Sequence, residues 1–189
     1  MDRLRNYIDL LLRWNRTINL ISRRDEPTVW DRHIADCLAL LPFLPSDFER
    51  AIDIGSGAGL PGLVLAIATN RPFDLVEADH RKAAFLREAA RATGAPATVH
   101  AARIETVSLA PASLVTARAV APLPTLLPWA VRLLAPGGVC VFPKGRTVAD
   151  ELTAAAAQWH MHLDRFASPT DPQATILRIS EISRVRHAP

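Results

Sequence analysis

Cysteine, lysine and tyrosine are scarce in this chain of 189 residues, which has two cysteines, two lysines and one tyrosine. Cys37 and Cys140 lie far apart, and no cysteine or histidine has the spacing of a metal motif. This excludes a disulfide-rich scaffold and a zinc cluster. We expect no bound metal and two buried thiols in a reducing compartment, with a disulfide between them as the alternative.

Long hydrophobic runs are also missing. No run reaches the roughly 18 apolar residues that a membrane helix needs. The longest candidate, residues 114–142, is broken by Arg118, Arg132 and four prolines. The first residues lead into an amphipathic pattern instead of the hydrophobic stretch of a signal peptide. With 49% apolar residues, we expect a monomeric, cytoplasmic protein that makes no contact with a membrane and buries one core.

Positive charge is present in modest excess and comes almost entirely from arginine. The formal net charge is +3, and the first 24 residues contain only two acids, Asp2 and Asp9. Such a surface could lie along a phosphate backbone, or it could be an ordinary solvated face. The six arginines of this segment are Arg3, Arg5, Arg13, Arg16, Arg23 and Arg24.

Hydrophobic periodicity predicts a helical cap, residues 1–48, on an α/β core, residues 49–189, in a single domain. The predicted cap helices cover residues 2–16 and 27–41. In the core, strand and helix signals alternate, which is typical of a mostly parallel twisted sheet with helices on both faces. The last two strands are expected to form an antiparallel hairpin. Predicted core strands are 51–54, 73–78, 97–101, 113–117, 139–142, 162–166 and 174–180; predicted core helices are 60–69, 80–93, 104–107, 124–134 and 147–158.

A glycine-rich turn joins the first core strand to the next helix. Gly55, Gly57 and Gly59 follow the strand directly, and Glu77 ends the second strand, 22 residues after Gly55. Glycine allows the backbone to approach a ligand closely and to adopt a positive φ. A carboxylate at the end of the second strand can accept both hydroxyls of a ribose. The turn therefore predicts a site for an adenosine-containing ligand.

Two cofactors compete for this site. Residues 57–62 also fit the G-x-G-x-x-G fingerprint, which leaves an NAD-linked oxidoreductase as the alternative. Asp53, inside the strand before the glycines, suits the ammonium group of S-adenosylmethionine and would repel a pyrophosphate. After the third strand, Glu105 could accept from the exocyclic amine of adenine, and the backbone of Ile104 could serve the ring nitrogens. These features favour S-adenosylmethionine.

The fourth strand, beyond which an acceptor would bind, leads into residues 116–122. They contain neither the Asn/Asp-Pro-Pro-aromatic motif of enzymes that methylate exocyclic amines nor the nucleophilic cysteine needed for attack by pyrimidine C5. The absence of this motif and of such a cysteine fits an acceptor that is already nucleophilic. Guanine N7 is one example, because it has a lone pair and no proton to lose. Catalysis would then depend on holding that nitrogen in line with the methyl–sulfur bond, so no catalytic general base is expected. Arg118 either belongs to this site or is an ordinary ion-paired residue.

Several motifs occur in an order that resembles the small-subunit ribosomal RNA methyltransferase G family, also called glucose-inhibited division protein B. The resemblance covers nearly the whole chain. It implies a Rossmann-like class I methyltransferase fold and N7 methylation of guanine 527 in the 530 loop of 16S rRNA, with S-adenosylmethionine as cofactor, in a bacterial cytoplasm. The motifs are Asn19–Ser22, Arg32–Leu38, Asp53–Gly62, Arg81–Leu86, Arg103–Glu105, Ala117–Ala119 and Lys144–Gly145.

The resemblance also implies roles for individual residues. Glu77 matches the ribose-binding acid of the family, and Cys37 and Ala117 stand where the family usually has serine. The positions that match its cofactor contacts are Gly55, Leu60, Ile104, Glu105 and Arg118.

Three further residues are candidate contacts to RNA or to the target base. His33 and Asp36 are three apart on one predicted helix and so share a face, which could cover the mouth of the cofactor site. Alternatively, Asp36 pairs with Arg32 on a plain capping helix. Lys144 follows the fifth strand at the ligand-bearing edge, where it could touch phosphate or base. A non-catalytic ribosome-assembly factor and a small-molecule methyltransferase also remain open.

Overall fold

The computed structural model describes residues 2–185 and contains one seven-stranded sheet in the order β3-β2-β1-β4-β5-β7-β6. All neighbouring pairs from β3 to β5 are parallel, and β7 runs antiparallel to both β5 and β6. The predicted mostly parallel sheet and its closing hairpin are thus confirmed. The strands are β1 (Ala51–Ile54), β2 (Phe73–Glu77), β3 (Ala97–Ala101), β4 (Ala112–Ala117), β5 (Leu134–Lys144), β6 (Trp159–Ala167) and β7 (Thr175–Arg184).

Helices cover both faces of this sheet, because successive strand residues point to opposite sides. One buried cluster includes Tyr7, Ile34 and Phe85, so the amino-terminal segment shares its core with the sheet. The other includes Ile52 and Leu127 on the opposite face. The helices are α1 (Asp2–Asn15), α2 (Ala35–Leu38), α3 (Gly62–Thr69), α4 (His80–Thr93), α5 (Leu123–Leu133) and α6 (Val148–Ala156).

The prediction of one continuous helix over residues 27–41 is wrong. The segment is a 3-10 helix over Arg23–Thr28, a π-helical turn over Trp30–Ile34, the short α2, and a 3-10 turn over Leu41–Phe43. A π turn holds more residues than an α turn, which changes the positions that face the core after it. Leu40 is therefore fully buried, whereas Leu41 is exposed.

A second prediction, a short helix over residues 104–107, is also wrong, because this stretch is a single turn. The amides of Thr106 and Val107 both donate to the carbonyl of Arg103. The next two carbonyls, of Ile104 and Glu105, accept hydrogen bonds from the guanidinium of Arg132 on α5. Arg132 thus pairs carbonyls that a single turn leaves without a backbone donor.

Both cysteines are free and buried, as predicted. Burial raises the pKa of the Cys37 thiol to about 12, so it is neutral at physiological pH. Within residues 2–185, no helix has the length and apolar character required to cross a bilayer.

Candidate functional site

A cavity of about 480 Å³ opens at the carboxyl ends of β1 and β2 and beside the turn that follows β3. This is where ligands bind in open α/β sheets, at the point where the strand order reverses. The cavity brings together seven of the residues predicted to contact the cofactor, all except Asp53. These are Gly55, Gly57, Leu60, Glu77, Ile104, Glu105 and Arg118.

The glycine turn leaves room for a ligand at one position in particular. Gly57 has a φ of 54°, and a Cβ added there would lie 3.8 Å from the carbonyl oxygen of Gly55, an ordinary van der Waals distance. By contrast, a Cβ on Gly55 would collide with the side chain of Val120. The surface above Gly57 is therefore kept open on the cavity side, as close contact between backbone and ligand requires.

The Glu77 carboxylate is held in the cavity by two backbone amides. One oxygen accepts from the amide of Gly57 at 2.8 Å and the other from the amide of Asp79 at 2.7 Å. Each carboxylate oxygen has a second lone-pair direction, so Glu77 can accept two further hydrogen bonds from a ligand. An acid in this setting fits the paired hydroxyls of a ribose.

The turn after β3 and helix α5 also contribute to the cavity lining. Ile104 and Glu105 come from the turn, and Trp129 comes from α5. Arg132 binds the carbonyls of Ile104 and Glu105 and so fixes the turn in place. Trp129 is half-buried, and its indole offers a flat surface for a planar ring.

Asp53 lies beneath the glycine turn and does not line the cavity. Its side chain is fully buried and accepts a 2.6 Å hydrogen bond from the hydroxyl of Thr116, while Oδ2 has no hydrogen-bond partner among residues 2–185. Gly62 packs directly against this carboxyl, because a Cβ there would approach the Asp53 side chain to 2.5 Å. Desolvation raises the pKa of Asp53 to about 6, against hydrogen bonds that lower it. The expected direct contact with an ammonium group is therefore absent from this geometry.

The amino-terminal segment contributes walls that the sequence pattern did not predict. Leu20 and Ile21 line the cavity, and buried Asn15 holds them there. Its Oδ1 accepts from the amides of Leu20 and Ile21 at 2.8 and 3.0 Å, and its Nδ2 donates to Glu26 at 2.6 Å. An asparagine at the end of an amphipathic helix is the signal that could have indicated this role, because it commonly binds local backbone.

A second cavity, of about 600 Å³, adjoins the first. Four residues line both cavities: His33, Arg118, Ala119 and Val120. The four predicted RNA or base contacts, His33, Asp36, Arg118 and Lys144, all line the second one. The two cavities are therefore adjacent and share part of one wall.

Arg118 contacts both His33 and Asp36, the two residues of the amino-terminal segment that were predicted to meet RNA or the base. Its Nη2 donates to Nδ1 of His33 at 3.1 Å, and its Nη1 lies 3.7 Å from Oδ2 of Asp36. The alternative in which Asp36 pairs with Arg32 is not found among the described ion pairs. Since a guanidinium has only donors, His33 accepts through Nδ1 and carries its proton on Nε2. Burial and the Arg118 charge lower the pKa of His33, which favours this neutral form.

The side-chain amine of Lys144 binds other groups of the protein. Its Nζ lies 2.7 Å from Oε2 of Glu151 and donates to the carbonyl of Ala121 at 2.9 Å. Its side chain is only 10% exposed. The same Glu151 oxygen accepts from the amide of Leu123 at 2.8 Å. This pair therefore clamps the loop between β4 and α5, and two of the three N–H donors of Lys144 have partners inside the protein.

The predicted basic segment divides into two parts. Arg3 donates to the carbonyls of Thr93 and Gly94, each at 2.7 Å, at the carboxyl end of α4. That position suits a cation because the helix dipole is negative there. The remaining arginines of the segment are exposed: Arg5, Arg13, Arg16, Arg23 and Arg24.

Comparisons with known proteins agree with this architecture. Residues 1–171 match the sequence model of the family described as rRNA small subunit methyltransferase G. A protein of Granulibacter bethesdensis named Ribosomal RNA small subunit methyltransferase G is 59% identical over 184 residues, which cover 97% of this chain and 86% of that protein. A protein of the same name from Paramagnetospirillum magneticum is 49% identical over 189 residues, covering 100% of this chain and 92% of that protein.

Among solved structures, an O-methyltransferase from Bacillus cereus in complex with SAH superposes with a TM-score of 0.61. The match has 14% sequence identity and covers 93% of this chain and 90% of that chain. At this identity the likeness concerns the fold. The predicted Rossmann-like class I methyltransferase architecture is confirmed.

Proposed function

The chain belongs to the rRNA small subunit methyltransferase G family, and on this basis we propose that it transfers a methyl group from S-adenosylmethionine to N7 of a guanine in 16S rRNA. The observation that carries this proposal is the pair of adjoining cavities, one lined by the glycine turn and Glu77, the other by His33, Asp36 and Arg118. A cytoplasmic location follows for an enzyme whose substrate is ribosomal RNA or the small subunit.

The residues of the first cavity fit the cofactor. Glu77 would accept the ribose hydroxyls, the bare backbone at Gly57 would face the methionine portion, and the turn at Ile104 and Glu105 would hold the adenine. When bound, S-adenosylmethionine supplies an electrophilic methyl group on a positively charged sulfur. Asp53 would act on the ammonium group only through the turn above it, since its carboxyl is buried and faces Thr116.

The protein's own part in the reaction is to position the base. Guanine N7 has a lone pair in the ring plane that would take up the methyl group, with the carbon–sulfur bonding pair left on sulfur. No proton is removed, so the site needs no general base. Val120 and Ala119 stand where the two cavities meet, which makes them the wall along which donor and acceptor must align.

The guanine gains a positive charge during transfer, so nearby charge affects the rate. Arg118 would oppose this charge if it stood alone. The Asp36 carboxylate, 3.7 Å from Arg118, offsets that effect. Neutral His33 adds no positive charge of its own and fixes the orientation of the guanidinium.

The direct test is mass spectrometry of 16S rRNA from cells with and without the gene. We expect a 7-methylguanine that is present only when the gene is intact. In parallel, purified protein should bind S-adenosylhomocysteine in calorimetry and should label 16S rRNA, as free RNA or in the small subunit. Binding of NAD(H) without binding of S-adenosylhomocysteine would favour an oxidoreductase. Cofactor binding without any labelling would favour a non-catalytic assembly factor.

A further inference from the structure

The second cavity contains two carboxylates whose hydrogen-bonding states differ. Glu151 has three partners: Oε1 accepts from Thr147 at 2.9 Å, while Oε2 accepts from the Leu123 amide and contacts Lys144. Asp36 has far fewer. Among residues 2–185, no hydrogen bond to its carboxylate is found, and Arg118 is its only charged partner, at 3.7 Å. That distance is too long for a hydrogen bond.

The Asp36 oxygens are available to accept hydrogen bonds, and this determines which groups they can recognise in the second cavity. A carboxylate only accepts hydrogen bonds, and its two oxygens suit two parallel donors. On the Watson–Crick edge, guanine is the one standard base with two adjacent donors, N1–H and the N2 amine. Adenine and cytosine place an acceptor beside their amine, and uracil has acceptors on both sides of N3–H. Asp36 therefore matches guanine and mismatches the other three bases.

Two cations of the cavity can be considered for the neighbouring Hoogsteen edge of the base, which carries O6 and N7. Arg118 has only donors, so its guanidinium is chemically suited to the acceptor O6, whereas N7 must keep its lone pair for the methyl group. Lys144 uses two of its three donors on Glu151 and Ala121. Reading of the Watson–Crick edge by side chains is the usual way in which proteins recognise unpaired bases of RNA.

We propose that Asp36 is the residue that selects guanine, by accepting N1–H and the N2 amine of the target base in the second cavity. This inference rests on the proposed function, since it assumes that the acceptor is a base of rRNA. It adds that selectivity comes from a carboxylate of the amino-terminal segment, next to Arg118, and not from the strand residues that carry the cofactor site.

The test combines a protein variant with a change in the substrate. Asp36→Asn keeps the size of the side chain and replaces one acceptor by a donor. Small subunits reconstituted with inosine at the target position lack only the N2 amine there. Asp31→Asn is the matched control, because Asp31 is an exposed acid of the same segment that lines neither cavity. The rates of N7 methylation are measured for each protein on guanosine and on inosine substrates.

For the wild type and for Asp31→Asn, we expect kcat/KM to fall by about tenfold or more on inosine, since a hydrogen bond to a charged group is lost. For Asp36→Asn, kcat/KM on guanosine should fall by a similar factor, with less than about a threefold further loss on inosine. Any effect of inosine on RNA folding or on the nucleophilicity of N7 is the same for all three proteins and cancels in this comparison.

Two results would overturn the assignment. One is equal methylation of guanosine and inosine by the wild-type enzyme, a measurement for which no variant is required. The other is an Asp36→Asn protein that binds S-adenosylhomocysteine normally and still discriminates between the two substrates like the wild type. Failure of the wild type to methylate rRNA at all would instead contradict the proposed function.

Discussion

The hydroxyl of Tyr7, on α1, donates a 2.5 Å hydrogen bond to the carbonyl of Ala58 in the glycine turn. Tyr7 is fully buried and packs near Phe85 of α4, with ring centroids 6.4 Å apart. The amino-terminal helix is thus tied directly to the turn that would hold the cofactor. The cap is therefore part of the structure that shapes the site.

Removing this hydroxyl should weaken both folding and cofactor binding. Tyr7→Phe keeps the ring but leaves the buried Ala58 carbonyl without its donor, which should lower the free energy of unfolding by about 1–3 kcal/mol. Denaturant melts would measure the stability change, and calorimetry with S-adenosylhomocysteine the affinity. Trp14→Phe, on the same helix and also packed near Phe85, is the control that leaves the glycine turn intact. Unchanged values for Tyr7→Phe would show that the turn keeps its shape without α1.

Loss of the Glu77 carboxylate should weaken cofactor binding more than folding. Glu77→Ala is expected to reduce the affinity for S-adenosylhomocysteine by about 1.5–3 kcal/mol, the range for hydrogen bonds to a charged group. Titration calorimetry measures this loss. Glu49→Ala, which removes an exposed carboxylate just before the amino-terminal end of β1, should bind normally. Wild-type affinity in Glu77→Ala would remove this acid from the site.

The buried Asp53 should make stability depend on pH. Its pKa is raised from 3.8 to about 6, so folding favours the protonated form. Its contribution is fully present below about pH 4 and is lost as pH rises through about 6. Asp53→Asn, which can still pair with Thr116, should remove a fall of roughly 1–3 kcal/mol in the free energy of unfolding between pH 4 and 7. Urea melts at several pH values, compared as wild type minus variant, would reveal this slope. Parallel pH curves for the two proteins would contradict the assignment.

Lys144 and Glu151 should act as one unit. Each single replacement, Lys144→Ala or Glu151→Ala, leaves the other charge largely buried and loosens the loop at Ala121 and Leu123. The double variant should therefore lose less stability than the sum of the two, with a coupling of about 1–2 kcal/mol. A double-mutant cycle of unfolding free energies measures this coupling. Strict additivity would mean that the pair does not clamp the loop.

The exposed arginines should contribute to RNA binding in proportion to their number. Replacing Arg13, Arg16 and Arg23 by glutamine should reduce the slope of log K against log salt by roughly one for each phosphate that the protein no longer binds. Arg3→Gln should leave the slope unchanged and lower stability instead, because Arg3 is bound to the end of α4. Filter binding at several salt concentrations separates the two effects. A wild-type slope in the triple variant would assign these arginines to solvent.

Much of the fold was predictable because the sheet and its helices follow local rules. The strand before Gly55 is a short buried run, α4 has a capping aspartate at Asp79 and a left-handed glycine at Gly94, and their bounds follow directly. The cap was predicted less well. A π turn at Trp30–Ile34 shifts the helical repeat, and no periodicity of apolar residues distinguishes it from a regular helix.

For the site, the residue types and the spacing of the glycine turn and Glu77 sufficed to predict an adenosine-containing ligand. The partners of the other residues did not follow from spacing. Asp36 could pair locally with Arg32 or with any distant cation, and Lys144 could face solvent or the interior. Both choices depend on which side chains the packed strands and the amino-terminal segment bring within reach.

The amino-acid sequence by itself determined the order of strands and helices, the glycine turn and the acid one strand away, because these depend on neighbours along the chain. Only the tertiary structure decided that Asp53 is buried under that turn, that Lys144 is neutralised by Glu151, and that Asp36 keeps its acceptors unused beside Arg118. Such outcomes depend on contacts between residues distant in sequence, and their energies exist only once the sheet has assembled.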